Sequence, residues 1–439
     1  MSAAAPGAEF PAPMGVEPAD RPLRVAIAYS RVPFPMTKGD QLTVSHLIQF
    51  LAERGHAVDF FTLATASELT AEQDTWLRER CRRVEVLPHP RWRQLLGVAK
   101  AVLTRKPLQV GVFESPVLRR QLDAGIESGA YDVVYTYYAR SATATTGHFS
   151  PNEVLVRDGN RTAGYLAMQL SQTLNARRIA ETDPRRSRRL LFRVEAARME
   201  RYEARIWQEY TRVVLIGPKD VEAVQQACDA QGQPRPTNWV YGAHGTDISR
   251  FRPACPEDVV PGRIVFSGNM QYEPNVEALL WFVKNCWPTV SATNPDAHLV
   301  VVGRDPVRSV RRLESDRITV TGMVPDVGDY IRTASVCVNP MRAAGGMQNK
   351  LIEYFACGRP VVLSTVANEG IAAPADVCVI RDDAESFAAE VVRLLSDRAD
   401  AEAMAARARR HVEDHWTWAA HFRLLEGEFV ASLGNSPVG

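Results

Sequence analysis

Within residues 336–371, VCVNPMRAAGGMQNKLIEYFACGRPVVLSTVANEGI, a strand, a glycine turn, a helix and a second strand follow one another. A chain built on such a unit is committed to a parallel sheet covered by helices. Val336-Cys337-Val338 is a short apolar run of the kind that makes a buried strand. Gly345-Gly346 break that pattern, and from Met347 the period becomes helical. Met347, Leu351, Ile352 and Phe355 then share one face, while Gln348, Asn349, Lys350 and Glu353 fall on or beside the other. Gly358 stops the helix, and Pro360-Val361-Val362-Leu363 is the next buried strand.

In a unit of this kind the helix N-terminus faces the carboxyl ends of the strands. That end carries a partial positive charge and unpaired N–H groups, which makes it a seat for phosphate. Lys350 lies in the first turn, where it adds a full charge. Glu353 is about one turn deeper, where a carboxylate can accept hydrogen bonds from the two hydroxyls of a ribose. An anion seat beside a diol acceptor suits a nucleotide. A tight Gly-Gly turn followed by a solvated Lys-x-x-Glu pair accounts for the same residues, and the pattern alone leaves both readings open.

A chain of 439 residues is too long for one ordinary core and implies two domains. With 46% apolar and 23% charged residues it reads as a globular protein, and a net charge of +1 argues against nucleic acid as its partner. The seven cysteines are scattered, without a Cys-x-x-Cys pair, as expected of reduced thiols in a cytoplasmic protein with neither disulfide frame nor zinc site. No apolar run is long enough to span a bilayer. Residues 1–22, rich in Ala, Pro and Gly, read as a disordered leader.

Arg24–Ser30 is the first predicted strand, followed by a loop ending in Lys38-Gly39, a helix over 41–54 and a strand over 58–63. This is a first Rossmann-like unit. Further strands are expected over 83–87, 132–138 and 153–156. Asp158-Gly159-Asn160 is expected to end the last of these at its carboxyl edge, where ligands sit. Residues 177–205 hold ten Arg against five acids. With Arg91-Trp92-Arg93 and the 100–106 segment they form a candidate basic face with exposed aliphatics, suited to an anionic inner-leaflet membrane surface. A solvated helix with Glu–Arg pairs is the alternative. Strands are also expected over 213–216, 239–241, 262–268, 297–302, 319–324 and 376–381.

The 345–362 stretch resembles the donor-binding signature of the retaining bacterial glycosyltransferases of family four. It is closest to the exopolysaccharide-type branch, whose signature is Gly-Gly-x-x-x-Lys-x-Leu-Glu-x-x-x-x-Gly-x-Pro-Val-Val. Glu353 matches the second Glu of the more usual Glu-x7-Glu, and the first falls at Gly345. Ala243-His244-Gly245-Thr246-Asp247 with Phe251-Arg252-Pro253 resembles the family's hinge, with His244 in place of Asn. The resemblance implies an α/β GT-B fold of two Rossmann-like domains facing a cleft. Its expected boundaries are 23–245 for the acceptor domain, 246–410 for the donor domain, and 411–439 for a helix crossing back to the first.

By the same resemblance, Gly39, Gly268, Asn269, Arg304, Val324, Gly345, Gly346, Gln348, Asn349, Lys350 and Glu353 are donor-binding candidates. Lys350, Glu353 and Asp158 are the catalytic candidates, although a helix-capping role fits Asp158 equally and a plain turn fits Gly39. Asn269 stands where relatives commonly carry Arg. The implied activity is metal-independent transfer from a UDP-, GDP- or dTDP-sugar to a glycan or polyprenyl-linked acceptor, with no cofactor. A non-catalytic subunit of a polysaccharide-assembly complex and a sugar-nucleotide epimerase remain as alternatives.

Overall fold

The computed structural model describes residues 21–34, 36, 39–64, 69–182, 185–242, 245–342 and 347–434. His244, Gly345, Gly346 and all of the expected leader up to residue 20 lie outside them. Arg21, at the end of that leader, is already tied down by two hydrogen bonds to the Asp132 carboxylate. The chain divides into one unit of residues 1–243 with 422–439 and a second of residues 244–421.

The first unit is built on β1 (Arg24–Tyr29), β2 (Ala57–Ala64), β3 (Arg83–Pro88), β4 (Val133–Tyr137), β5 (Leu155–Arg157), β6 (Asn160–Gln169), β7 (Arg212–Leu215) and β8 (Trp239–Tyr241). Their order is β3-β2-β1-β4-β6-β7-β8, all parallel, with β5 antiparallel against β6. The central strands are apolar on both faces, as a sheet covered by helices requires. Ile27, Phe60, Tyr135 and Tyr165 are essentially inaccessible.

β6 corrects the expectation for Asp158. The segment around it is a hairpin turn with Asp158 at φ 47° and Gly159 at φ 79°, and the exposed Asp158 precedes the start of β6. Because β6 runs parallel to β4, with Val133 opposite Ala163, Asp158 lies at the amino-terminal edge of the sheet. The carboxyl end of that strand is Gln169. Asp158 therefore stands at the wrong edge for a ligand. β6 escapes a period-two reading because Ala163, Gly164 and Ala167 stand where bulky residues are expected. Gly164 is required for packing: a Cβ there would overlap the Phe149 ring.

The helix Trp418–Gly434 belongs to the first unit from Phe422 onward. Phe422 packs on Phe50 and Phe429 stands edge-on to Tyr165. The buried Glu426 Oε1 accepts from Arg54 Nη2 at 3.2 Å and from His56 Nε2 at 2.9 Å. Leu23 N–H donates to His56 Nδ1, so in the neutral ring the proton sits on Nε2. Glu426→Gln is expected to destabilise this unit by about 1–3 kcal/mol, because charge-assisted bonds in a buried position become neutral ones. Urea unfolding followed through tryptophan fluorescence checks this.

The second unit holds β9 (Arg263–Ser267), β10 (His298–Val302), β11 (Ile318–Gly322), β12 (Val336–Asn339), β13 (Val361–Leu363) and β14 (Val379–Ile380). Their order is β11-β10-β9-β12-β13-β14, all parallel. The chain winds one way from β9 to β11 and the other way from β12 to β14. The crevice between the carboxyl ends of β9 and β12 is therefore the switch point, where ligands bind in such sheets.

Candidate functional site

Two chain segments converge at this switch point. One is the end of β9 with Gly268 and Asn269. The other is the helix Asn349–Ala356, which starts two residues later than the periodicity predicts. Leu351, Ile352, Tyr354 and Phe355 are its buried side, and they anchor it to the sheet. Tyr354, fully buried, accepts from Ser267 N–H at 2.7 Å and lies 3.0 Å from Ser267 Oγ. This hydroxyl fixes the helix against the last residue of β9.

Lys350 reaches across the crevice. Its Nζ donates to Asn275 Oδ1 at 2.7 Å, lies 3.9 Å from Met341 Sδ, and sits 4.5 Å from the centre of the Phe266 ring. Asn275 is held by its own Nδ2, which donates to the Asn269 carbonyl at 3.0 Å. Enclosure by these groups pushes the Lys350 ammonium down to about 7, with the Glu353 carboxylate opposing the shift. Glu353, three residues on, is pushed up to about 7, chiefly by burial, while Arg250 and Lys350 act to lower it. No described group is within hydrogen-bonding distance of the Glu353 carboxylate, which leaves its acceptor capacity open. The site thus holds a basic and an acidic group three residues apart on one helix, both brought by desolvation to titrate near neutrality.

Close backbone approach shapes the floor. A Cβ on Gly303 would overlap the Gly268 carbonyl oxygen, and one on Gly268 would stand 2.7 Å from Asn275 Nδ2 and 3.4 Å from Lys350 Nζ. Only glycine fits at either place. Asn339, fully buried at the end of β12, has no hydrogen-bond partner for Oδ1 or Nδ2 among the described residues. A buried orphan amide at a strand end calls for a polar group that the described residues do not supply.

Of the predicted donor residues, Gly268, Asn269, Gln348, Asn349, Lys350 and Glu353 come together here. Gln348 is buried at the helix cap and Asn349 is exposed beside it. Asn269 turns its Oδ1 onto Gln271 N–H. Arg304 gives its carbonyl to Met270 N–H, but its guanidinium is exposed and 3.9 Å from Asp305. Val324 follows β11, half-buried. Gly39 opens the helix Gly39–Glu53 of the first unit, with open space where a Cβ would be. Sequence reasoning missed Asn275, Phe266, Tyr354 and Arg250. Asn275 alone left a signal, as an uncharged polar residue in the first turn of the helix Glu273–Asn285.

Among the described residues, no group of three His, Cys, Asp or Glu side chains is placed to hold a metal ion. Among the same residues, no helix is long and apolar enough to cross a membrane.

Residues 261–397, which include Gly268, Asn275, Lys350 and Glu353, match the family described as Glycosyl transferases group 1. The GDP-mannose-dependent monoacylated alpha-(1-6)-phosphatidylinositol monomannoside mannosyltransferase of Corynebacterium glutamicum is 28% identical over 199 residues, 40% of this chain. The chain spans about half of that relative, 51% of its length. The D-inositol 3-phosphate glycosyltransferase of Kribbella flavida is 27% identical over 426 residues, 90% of this chain and 92% of that one. Among solved structures, sucrose-phosphate synthase from Thermosynechococcus elongatus aligns with a TM-score of 0.55 at 20% identity, over 94% of this chain and 100% of that chain. Anabaena HepE in complex with UDP aligns at 0.58 and 12% identity, over 93% of this chain and 100% of that chain. At such identities these two show the fold. The second unit thus carries a group 1 glycosyl transferase domain, and the parallel α/β sheets of both units are consistent with the GT-B fold.

Proposed function

We propose that the chain moves a sugar from a nucleotide-sugar donor to a glycan or polyprenyl-linked acceptor, with retention of anomeric configuration and without a divalent metal. The observation that carries this reading is the Lys350–Glu353 pair at the switch point of a group 1 domain. Lys350 Nζ, which donates to the neutral Asn275 amide, stabilises the negative charge that develops on the departing diphosphate. Glu353 accepts from the ribose hydroxyls and positions the donor. The departing phosphate takes the acceptor proton on the same face, so no glycosidase-like carboxylate pair is needed. The named relatives use GDP-mannose in one case and bind UDP in another, and UDP-, GDP- and dTDP-sugars all fall within the proposal. An exopolysaccharide-type product and a cytoplasmic site of action, peripheral to the inner membrane, complete it.

Incubation with a panel of UDP-, GDP- and dTDP-sugars tests the reading. Hydrolysis or transfer from one of them is the expected result. Formation of a 2-epimer, or binding without turnover, overturns it. Activity is expected to survive EDTA, and a loss restored by Mg²⁺ would place a metal in the reaction.

The pH dependence follows from the shifted groups. A bound diphosphate raises the pKa of Lys350 from about 7, so donor binding above that pH takes up a proton. A ribose diol on Glu353 favours the carboxylate and lowers its pKa from about 7, so binding below that pH releases one. Affinity should therefore peak near neutrality and fall on both sides. Titration calorimetry in buffers of different ionisation enthalpy reads both signs, and Lys350→Met should abolish the uptake at alkaline pH.

A further inference from the structure

The helix Arg91–Thr104 of the first unit presents its small residues inward and its large apolar ones outward. Gly97 and Ala101 are its buried residues. They pack on the helix Leu108–Phe113, where a Cβ on Gly97 would overlap the Gly111 carbonyl and one on Gly111 would stand 2.6 Å from Ala101 Cβ. The two backbones thus meet with no room for larger side chains between them. Outside, Trp92 is 56% exposed, Leu95 69%, Leu96 61%, Val102 50% and Leu103 84%. Their spacing places them along one stripe of the helix. In a helix that covers a sheet, such a stripe belongs inside.

A second apolar group is exposed on another helix of the same unit. Leu190, Leu191 and Val194 are exposed near the start of the helix Arg186–Ile206. The Glu195 carboxylate accepts from Leu108 N–H at 2.9 Å and Gln109 N–H at 3.1 Å, which locks this helix to the Lys106–Pro107 turn. Beside that turn opens a cleft of about 430 Å³. Arg105, Lys106, Arg198, Arg201 and Arg205 line it, and its acid, Glu209, already accepts from Gly147 N–H.

We propose that this face of the first unit docks onto an anionic lipid bilayer. The 91–104 stripe lies at headgroup depth with Trp92 at the interface, and the basic cleft holds phosphate headgroups. Charge selects this occupant: apolar side chains rimmed by cations match an anionic surface. A second copy of the chain, packed by two-fold symmetry, would set arginines against arginines. The inference rests on the peripheral location proposed above and names the surface that provides it; its test uses no donor, so its failure leaves the transfer reading standing.

The full chain is mixed with vesicles of phosphatidylcholine, alone or with an equal part of phosphatidylglycerol, and sedimented. Binding is expected to the anionic vesicles only, and to weaken with salt. Leu95→Asp with Leu103→Asp should weaken it by about tenfold or more, since two inserted side chains are lost. Arg201→Glu with Arg205→Glu should weaken it at least as much, at about fivefold per charge removed. Val156→Asp, at an equally exposed site on β5, should bind as wild type. All substituted positions are exposed, and unchanged thermal midpoints show that the variants fold. Equal binding to both vesicle types, no binding to anionic ones, or wild-type binding by either double variant overturns the proposal. So does a lipid-free dimer that the leucine substitutions dissolve.

Discussion

Lys350→Ala is expected to lower kcat by about 10²–10³, the range seen when one preorganised transition-state donor is removed. The expectation is at the upper end for structural reasons. Asn269 spends its side chain on the Gln271 amide, and the exposed Arg304 side chain lies near Asp305. Neither supplies a second enclosed cation beside Lys350. Lys350→Met is the cleaner control, since it keeps the contacts with Phe266 and Met341 while removing the charge. Lys350→Arg should rescue poorly: the ammonium fits between a ring face and Asn275 Oδ1, and a planar fork is larger than that space. Asn269→Arg in the Ala background should recover part of the rate. Single-turnover measurement at saturating donor reads the chemical step. A kcat within a few-fold of wild type would move the phosphate seat elsewhere, with Arg304 next in line.

Glu353→Gln is expected to weaken nucleotide binding ten- to a hundredfold while the second unit stays folded. A charged hydrogen bond to a diol is worth about 1.5–3 kcal/mol, which converts to that factor. The fold should tolerate the change, because burial already pushes the carboxyl up to about 7. A neutral amide at this position removes a desolvation cost instead of a structural bond. The corresponding 2′-deoxynucleotide should bind wild type weakly and Glu353→Gln almost as well as the parent nucleotide does. Unchanged affinity by calorimetry would take Glu353 off the ribose.

What the chain discloses before folding is uneven, and the reasons differ by element. Strands β9, β10 and β12 are runs of Val, Ile and Leu buried on both faces, so a composition reading finds them. The helix of Lys350 was found by period alone. β6 was not, because Gly164 and its alanines are small for the sake of Phe149 and the neighbouring helices, a tertiary demand that overrides strand propensity. Losing β6 also reversed the edge to which Asp158 was assigned. Within the crevice, Lys350 and Glu353 were legible because their spacing is local. Asn275 is 75 residues from Lys350 and Arg250 more than a hundred from Glu353, and their juxtaposition exists only once the sheet has formed.

The first unit is completed by the last residues of the chain, and this imposes an order on biogenesis. Tyr135 and Tyr165 lie on a face of the sheet that Phe429 covers, with ring centres at 5.9 Å and 4.7 Å. Tyr165 donates its hydroxyl to the Glu428 carbonyl at 2.7 Å. Residues 1–243 leave the ribosome long before Phe429 is made. At synthesis rates of about 5–20 residues per second the wait is on the order of 10–30 s. During that interval the second unit, contiguous in sequence, can fold alone while the aromatic face of the first stays uncovered. A chain truncated before Phe422 should therefore accumulate with a chaperone or as aggregate, and a separately supplied 418–434 peptide should rescue it in trans.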